Sequence, residues 1–200
     1  MSFRLVRDIA TDVDEKGGRA LIVGGSVRDR LLRGGWSNDT DWDLEVFGLS
    51  GEQLKDVLSK HGHIDLVGEA FGVIKMHGLN IDVSLPRRDS KRGFGHRGFD
   101  VESDPHMTVE DAARRRDFTI NAMSFDPLTN DLIDPFDGRR DLNAGLLRMV
   151  DVATFGDDPL RVLRGMQFAA RFCLTAHRDT IQECVERFGE GVGLCVERGG

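Results

Sequence analysis

The stretch Ala20-Leu-Ile-Val-Gly-Gly-Ser-Val-Arg-Asp29, followed by Asp41-Trp-Asp43, decides how the chain is read. Leu21-Ile-Val23 is a short unbroken apolar run, the pattern of a strand covered on both faces. Gly24-Gly25 ends it, Ser26 suits a helix N-cap, and Val27 to Leu32 form a short helix that stops at Gly34-Gly35. After a polar turn, Asp41 to Phe47 alternates acid and apolar residues at the period of a strand. That alternation puts Asp41, Asp43 and Glu45 on one face and Trp42, Leu44 and Val46 on the other.

Two chemistries follow from the residue types. Carboxylates at i and i+2 of a strand point the same way, with their Cα atoms about 6–7 Å apart. They suit a pair of Mg²⁺ ions about 3.5–4 Å apart that clamp the attacking and leaving oxygens of a phosphoryl transfer. Mg²⁺ takes few protein carboxylates and fills its shell with water and phosphate oxygens. The Gly-Gly turn between a buried strand and a helix start is a phosphate cradle, because glycine lets backbone amides approach an anion closely. Arg28, one turn into the helix, can reach a phosphate. Neither a Walker loop nor a dinucleotide fingerprint is present.

Around this centre the chain alternates helix and strand. Phe3 to Asp14 spaces Leu5, Val6, Ile9, Ala10 and Val13 as a helix. Ser50 caps a helix running to Lys60 that turns Leu54, Val57 and Leu58 inward. Strand-like pieces follow at 64–67, 73–76 and 79–85, the last two joined as a hairpin through His77-Gly78. Asp82 on the third piece is either a further acid beside the metals or a strand-end acid paired with Arg87 or Arg88. Pro86 to His106 carries Arg87, Arg88, Lys91, Arg92, His96 and Arg97 with Gly93 and Gly95, and reads as a long basic functional loop. Thr108, with Asp111, opens another helix; Phe118 to Phe125 is apolar core; Leu132 to Asp134 and Leu146 to Val150 are short strands. Pro159 starts a helix continuing to Arg171, and a further one covers Thr180 to Phe188. The composition shifts near Val150 from mixed α and β to all helix, so 1–150 is expected as one domain and 151–200 as an incomplete helical one.

The totals narrow the function. With 40% hydrophobic and 30% charged residues, the 200-residue chain can bury a core. A net charge of −7 argues against coating nucleic acid by bulk attraction, while leaving local basic patches possible. Cys173, Cys184 and Cys195 are too few and too spread for a disulfide scaffold or zinc knuckle, and the six histidines form no ligand-like cluster. No run approaches the roughly 20 apolar residues of a membrane helix. The N-terminus has no apolar signal core, and the cytoplasm is the expected compartment.

Taken together, Gly24-Gly-Ser-Val-Arg-Asp29 and Asp41-Trp-Asp43 resemble the signature of polymerase-β-type nucleotidyltransferase heads. More narrowly, they resemble the class II tRNA nucleotidyltransferases (CCA-adding enzymes) and the related bacterial poly(A) polymerases. Three later stretches resemble that family in the same order. They are Arg115-Arg-Asp-Phe-Thr-Ile-Asn-Ala122, Asp134-Pro-Phe-Asp-Gly-Arg-Arg-Asp-Leu142, and Asp157-Asp-Pro-Leu-Arg161 with Arg164 and Phe168-Ala-Ala-Arg-Phe172. The resemblance implies an α/β (α+β) head with a mixed sheet backed by helices, then a helical neck.

It also implies roles. Asp41 and Asp43 would be the catalytic, metal-holding acids. Gly25 and Arg28 would contact the triphosphate. Arg116, Asp117 and Asn121 would sit around the sugar and phosphate, while Asp158 and Arg161, with Arg164 nearby, would read the base. An acid accepts from the exocyclic amine that C and A share, and an arginine donates to ring acceptors. U and G would leave these groups unpaired. The implied reaction adds CMP and AMP from CTP and ATP to a tRNA 3′ end, with Mg²⁺ and release of pyrophosphate. Close alternatives are a poly(A) polymerase acting on other RNA 3′ ends, or a CC-only or A-only enzyme. A different class is a nucleotide- or RNA-binding module without catalysis.

The chain departs from the family pattern at several points. Asp157 stands where the family usually has Glu, Thr40 stands where it often has Lys, and Gly34-Gly-Trp-Ser37 lengthens the turn before Asp41. The family's body and tail are expected beyond Gly200.

Overall fold

The computed structural model describes residues 3–67, 73–91 and 99–188. The first half of the chain runs α1 (Phe3–Glu15), β1 (Arg19–Val23), α2 (Gly25–Arg33), β2 (Trp42–Phe47), α3 (Gly51–Ser59), β3 (Ile64–Val67), β4 (Val73–Met76), β5 (Ile81–Ser84), β6 (Arg87–Lys91) and β7 (Phe99–Ser103). It continues with α4 (Val109–Arg114), a 3₁₀ turn (Thr119–Asn121), β8 (Ser124–Phe125), β9 (Leu132–Ile133), α5 (Gly138–Asn143), β10 (Leu146–Leu147), α6 (Val152–Phe155), α7 (Leu160–Phe172), β11 (Thr175–Ala176) and α8 (Arg178–Phe188).

These elements fall into two units: Met1–Ala112 with Ser124–Ile133, and Ala113–Met123 with Asp134–Gly200. The division does not follow the boundary expected near Val150. Residues 113–123 and 134–150 belong with the later helices: Phe118 meets Phe155 and Phe168, Asp117 pairs with Arg164, Arg115 O accepts from Arg161, and Arg148 bonds His177.

Unit one is built on a seven-stranded mixed sheet in the order β3-β4-β5-β2-β1-β8-β9. All neighbouring pairs are antiparallel except β2–β5, which is parallel. Helix α1 buries Val6, Ile9, Ala10 and Val13, one stripe at helical spacing. Its first ring, Phe3, lies 5.9 Å from Trp42, so α1 covers the sheet face that carries Trp42. Helix α3 buries Leu54, Val57 and Leu58 and starts on a capping box: Ser50 Oγ accepts from Gln53 N, and Ser50 N donates to Gln53 Oε1. On the opposite face Leu21, Val23 and Phe47 are buried with Ala112, packed by Met107, Val109 and Ile133.

Three sequence expectations change here. Ser26 is not the N-cap of α2; it lies inside the first turn, its hydroxyl donating to Val23 O at 3.2 Å, and Gly24 takes the cap position. The basic stretch from Pro86 is not simply a loop. Arg87–Lys91 and Phe99–Ser103 pair antiparallel from Arg87↔Ser103 to Lys91↔Phe99. A ladder needs only backbone donors and acceptors, so low apolar content does not forbid it. Arg92, Gly93, Gly95, His96 and Arg97 lie outside the described residues, as does Cys195. Within the segment expected to be all helix, β11 pairs parallel with β10.

Unit two is organised around Phe118, whose ring meets Phe155 edge-on at 5.6 Å and Phe168 at 5.9 Å. Close approach also controls α5. A side-chain carbon on Gly138 would collide with the Thr119 carbonyl oxygen and stand 3.0 Å from Met123 Cγ. Gly138→Ala is therefore expected to lower stability by about 1–3 kcal/mol, the range for overpacking a filled core. Gly35→Ala, with nothing within 4 Å of the added carbon, should change it by less than about 0.5 kcal/mol. Urea melts of the two variants check this; equal midpoints would show that the Gly138 contact does not constrain the fold.

Candidate active site

Strands β1 and β2 pair from Arg19↔Phe47 to Ile22↔Leu44. The end of β1 therefore lies beside the start of β2, and the Gly24-Gly25 turn leaves the sheet next to Asp41 and Asp43. Gly24 has φ 75° and ψ −139°, a region that side chains exclude, so glycine is needed at this position more than at Gly25. No side chain caps α2, which leaves its N-terminal amides suited to an anion. Arg28 is buried and folds back over the turn. Its Nε donates to Asp29 Oδ1 at 2.8 Å, and its Nη2 would be 3.3 Å from a Gly25 Cβ. The structure thus brings Gly25 and Arg28 together.

The two acids differ from the rest of their strand. Asp41 and Asp43 are exposed, whereas Trp42, Leu44, Val46 and Phe47 are buried. Asp41 precedes the first residue of β2, with Trp42 N still bonded to Asn80 O at 2.8 Å. Glu45, on the same face as Asp41 and Asp43, is only 2% exposed; it pairs with Leu21, whose side chain belongs to the buried cluster on that face. Asp82 is the register partner of Asp43 on β5, so the two share a face. The ion-pair partner of Asp82 is Lys75 on β4, with Nζ 2.7 Å from Oδ2. That hydrogen bond, then the Asp82 charge and the Asp43 charge, raise the Lys75 pKa above its ordinary value.

Solvent-accessible carboxylate oxygens at a strand end fit Mg²⁺, which prefers hard oxygen donors and few protein ligands. No group of three His, Cys, Asp or Glu converges as a metal cluster among the described residues. The fit thus rests on the Asp41–Asp43 pair.

In unit two the sugar-motif residues are mostly interior. Asp117 and Asn121 are each 5% exposed. Asp117 Oδ1 accepts from Phe118 N at 2.7 Å and from Asn121 Nδ2 at 3.1 Å, while Oδ2 lies 2.9 Å from Arg164 Nη2. Arg116 is half-buried. The structure therefore joins Asp117, Asn121 and Arg164 into one network.

Asp158 and Arg161 flank the start of α7. Asp158 Oδ1 accepts from Leu160 N at 2.9 Å, closing the entry turn. Arg161 Nη1 donates to Thr154 O at 3.0 Å and Nη2 to Arg115 O at 2.6 Å. A guanidinium carries five donors. These two bonds aim the group and leave donors over for a ligand.

Several contributors escaped sequence reasoning. Lys75 is one charge inside the strand-like piece 73–76, and no local pattern ties it to the acids. Trp36, in the lengthened turn, packs 4.8 Å from Trp42 and 5.4 Å from Phe125, while Arg30 lies 4.3 Å over the Phe125 ring. The two tryptophans were visible signals of an aromatic anchor. Thr40, where the family often has Lys, closes that turn by donating to Ser37 O at 2.8 Å. Asp141 is buried and accepts from Thr119 Oγ1 at 2.8 Å and Arg148 Nε at 2.9 Å, a purely structural junction.

Similarity to known proteins agrees with this layout. The model of the poly A polymerase head domain matches residues 20–148. The Multifunctional CCA protein of Stenotrophomonas maltophilia (strain K279a) is 43% identical over 151 residues, which cover 76% of this chain and 35% of that protein. That of Xanthomonas euvesicatoria pv. vesicatoria (strain 85-10) is 40% identical over 182 residues, 88% of this chain and 42% of that protein. The Bacillus stearothermophilus CCA-adding enzyme, solved in complex with CTP, superposes with a TM-score of 0.75 at 28% identity, covering 93% of this chain and 44% of that one. The Thermotoga maritima CCA-adding enzyme complexed with tRNA-CCA gives 0.73 at 29% identity, covering 94% and 42%. The chain spans about two fifths of the length of these relatives. With more than half of its residues matched by the family model, and strand, glycine turn and paired acids in the family's order, the chain belongs to the poly A polymerase head-domain family.

Proposed function

We propose that this chain supplies the catalytic part of a template-independent nucleotidyltransferase that adds CMP and AMP, from CTP and ATP, to the 3′ end of tRNA. The observation that carries this reading is the β1–β2 register, which sets an uncapped glycine turn beside two exposed carboxylates. The amides at the start of α2 and the Arg28 guanidinium would hold the triphosphate. Asp41 and Asp43 would hold magnesium, whose chemistry is to offset phosphate charge and acidify a hydroxyl. The primer 3′-hydroxyl attacks the α-phosphate in line, and pyrophosphate leaves.

The base is read in unit two. Asp158 accepts from the exocyclic amine of C or A, and Arg161, aimed by two main-chain carbonyls, donates to ring acceptors. Arg116 stands at the sugar, with Asp117 and Asn121 shaping that wall from inside and Arg164 tied to it. Head chemistry thus comes from unit one and neck function from unit two. No helix among the described residues is long and apolar enough to cross a membrane. The cytoplasm is the compartment this reading proposes, because its substrate is tRNA.

Two experiments test the reading. The full protein is incubated with tRNAs lacking the last three, two or one nucleotides of CCA, with CTP and ATP supplied separately. C should enter the first two and A only the third; long A tails on generic RNA would instead identify a poly(A) polymerase, and C-only or A-only transfer a narrower relative. Asp41→Ala with Asp43→Ala should lower transfer by about a thousandfold or more, since metal-borne charge stabilisation contributes several kcal/mol. Persistent activity would sink the metal reading.

Stability separates the two kinds of acid. Asp117→Ala removes two hydrogen bonds and orphans their buried donors, so unfolding should ease by about 1–3 kcal/mol. Asp43→Ala, on an exposed carboxylate, should stay within about 0.5 kcal/mol while activity is lost. Denaturant titration beside the transfer assay reads both effects.

A further inference from the structure

The two carboxylates of the site are not held alike. Asp43 lies within β2, where the parallel ladder sets it opposite Asp82 on β5. Asp41 is exposed and precedes the first residue of the strand, so the ladder that begins at Trp42 does not fix it. Before it comes the turn 34–40, which leaves α2 at Gly34 in the left-handed region, φ 74°. Gly34 N and Gly35 N both donate to Arg30 O, the second at 3.1 Å, and Gly35 has nothing within 4 Å of an added side-chain carbon. Thr40 Oγ1 donates to Ser37 O at 2.8 Å, which closes the turn on itself without tying it to the sheet. Two adjacent glycines make a loose lead-in to an acid that must stand in one place.

Trp36 supplies a tie. Its ring stacks on Phe3 at 5.7 Å, with 23° between the planes, and meets Trp42 at 4.8 Å and Phe125 edge-on at 5.4 Å. The Arg30 guanidinium lies 4.3 Å over Phe125 and 5.2 Å over Trp36. Its buried Nε has no hydrogen-bond partner among the described residues, so the ring faces take its charge. Trp42 stands between the two acids in sequence and points to the opposite face of β2, so Trp36 braces the strand end from behind the carboxylates.

We propose that Trp36 is a positioning residue: docked on Trp42, it fixes the turn 34–40 and through it the carboxylate of Asp41, so that the two acids meet a divalent cation already in place. The proposal rests on reading Asp41 and Asp43 as the metal-binding acids. A ligand that must be ordered on binding weakens the site by that entropy, and one ordered beforehand does not. The effect therefore falls on metal affinity before any nucleotide arrives.

Two measurements on the full protein without nucleotide test this: amide hydrogen exchange over 35–41, and Mn²⁺ affinity by electron paramagnetic resonance of free Mn²⁺. Trp36→Ala should exchange about tenfold faster over 35–41 and bind Mn²⁺ about five- to tenfold more weakly, the scale of losing a group that orients a metal ligand. Trp36→Leu should move both in the same direction by less. Trp36→Phe, which keeps a ring for Arg30 and Trp42, should stay within about twofold of the parental affinity. Leu58→Ala separates positioning from stability. It opens the core under α3 and lowers the unfolding midpoint, yet should keep Mn²⁺ affinity within about twofold. Parental Mn²⁺ affinity in Trp36→Ala, or an equal loss of it in Leu58→Ala, overturns the proposal. Mn²⁺ binding retained by Asp41→Ala with Asp43→Ala would remove the metal reading and the proposal with it; binding lost there, beside an unmoved Trp36→Ala, removes the proposal alone.

Discussion

Backbone hydrogen bonds run between β1 and β2 from Arg19↔Phe47 to Ile22↔Leu44, and the groups of unit one are placed by that ladder. Shifting the pairing by one residue would turn Asp43 towards the face occupied by Trp42 and α1, because strand side chains alternate with period two. The buried apolar residues on both faces of β1 and β2 hold the register: Ala20, Ile22, Leu44 and Val46 on one side, Leu21, Val23 and Phe47 on the other. An exposed carboxylate at the open end of such a strand is thus a consequence of core packing elsewhere along it. The parallel β2–β5 pairing extends the same control to Asp82, and antiparallel β4–β5 pairing extends it to Lys75.

Unit two uses its polar groups differently. Asp117, Asn121, Thr119 and Asp141 are buried and bonded to main chain or to one another. Desolvated carboxylates are tolerated there because arginines and amides satisfy them: Arg148 stands at Asp141 and Arg164 at Asp117. These interactions fix the 117–121 segment and tie the exposed Arg164 to it. A family motif can therefore mix residues that touch a ligand with residues that only hold the loop in place.

Charge balance over the whole chain says little about the site. The net charge of −7 would disfavour phosphate, yet backbone amides and Arg28 stand at the glycine turn beside Asp29, Asp41 and Asp43, and the acid Asp82 is paired with Lys75. Local arrangement outweighs the sum because solvent and salt screen distant charges.

Much of this was legible in the residue order. The apolar run Leu21-Ile-Val23, the glycines after it, the alternation from Asp41 to Phe47 and the Ser50 cap are local patterns, and local patterns report helix, strand and turn through periodicity and backbone sterics. The paired acids and the family resemblance came from the same source. Tertiary structure alone decided which strands are neighbours, and with that the Lys75–Asp82–Asp43 row, the burial of Glu45, the pairing of β6 with β7 and the inward turn of Asp117. Those facts depend on contacts between residues far apart in the chain, where register and packing set the outcome and no local period records it.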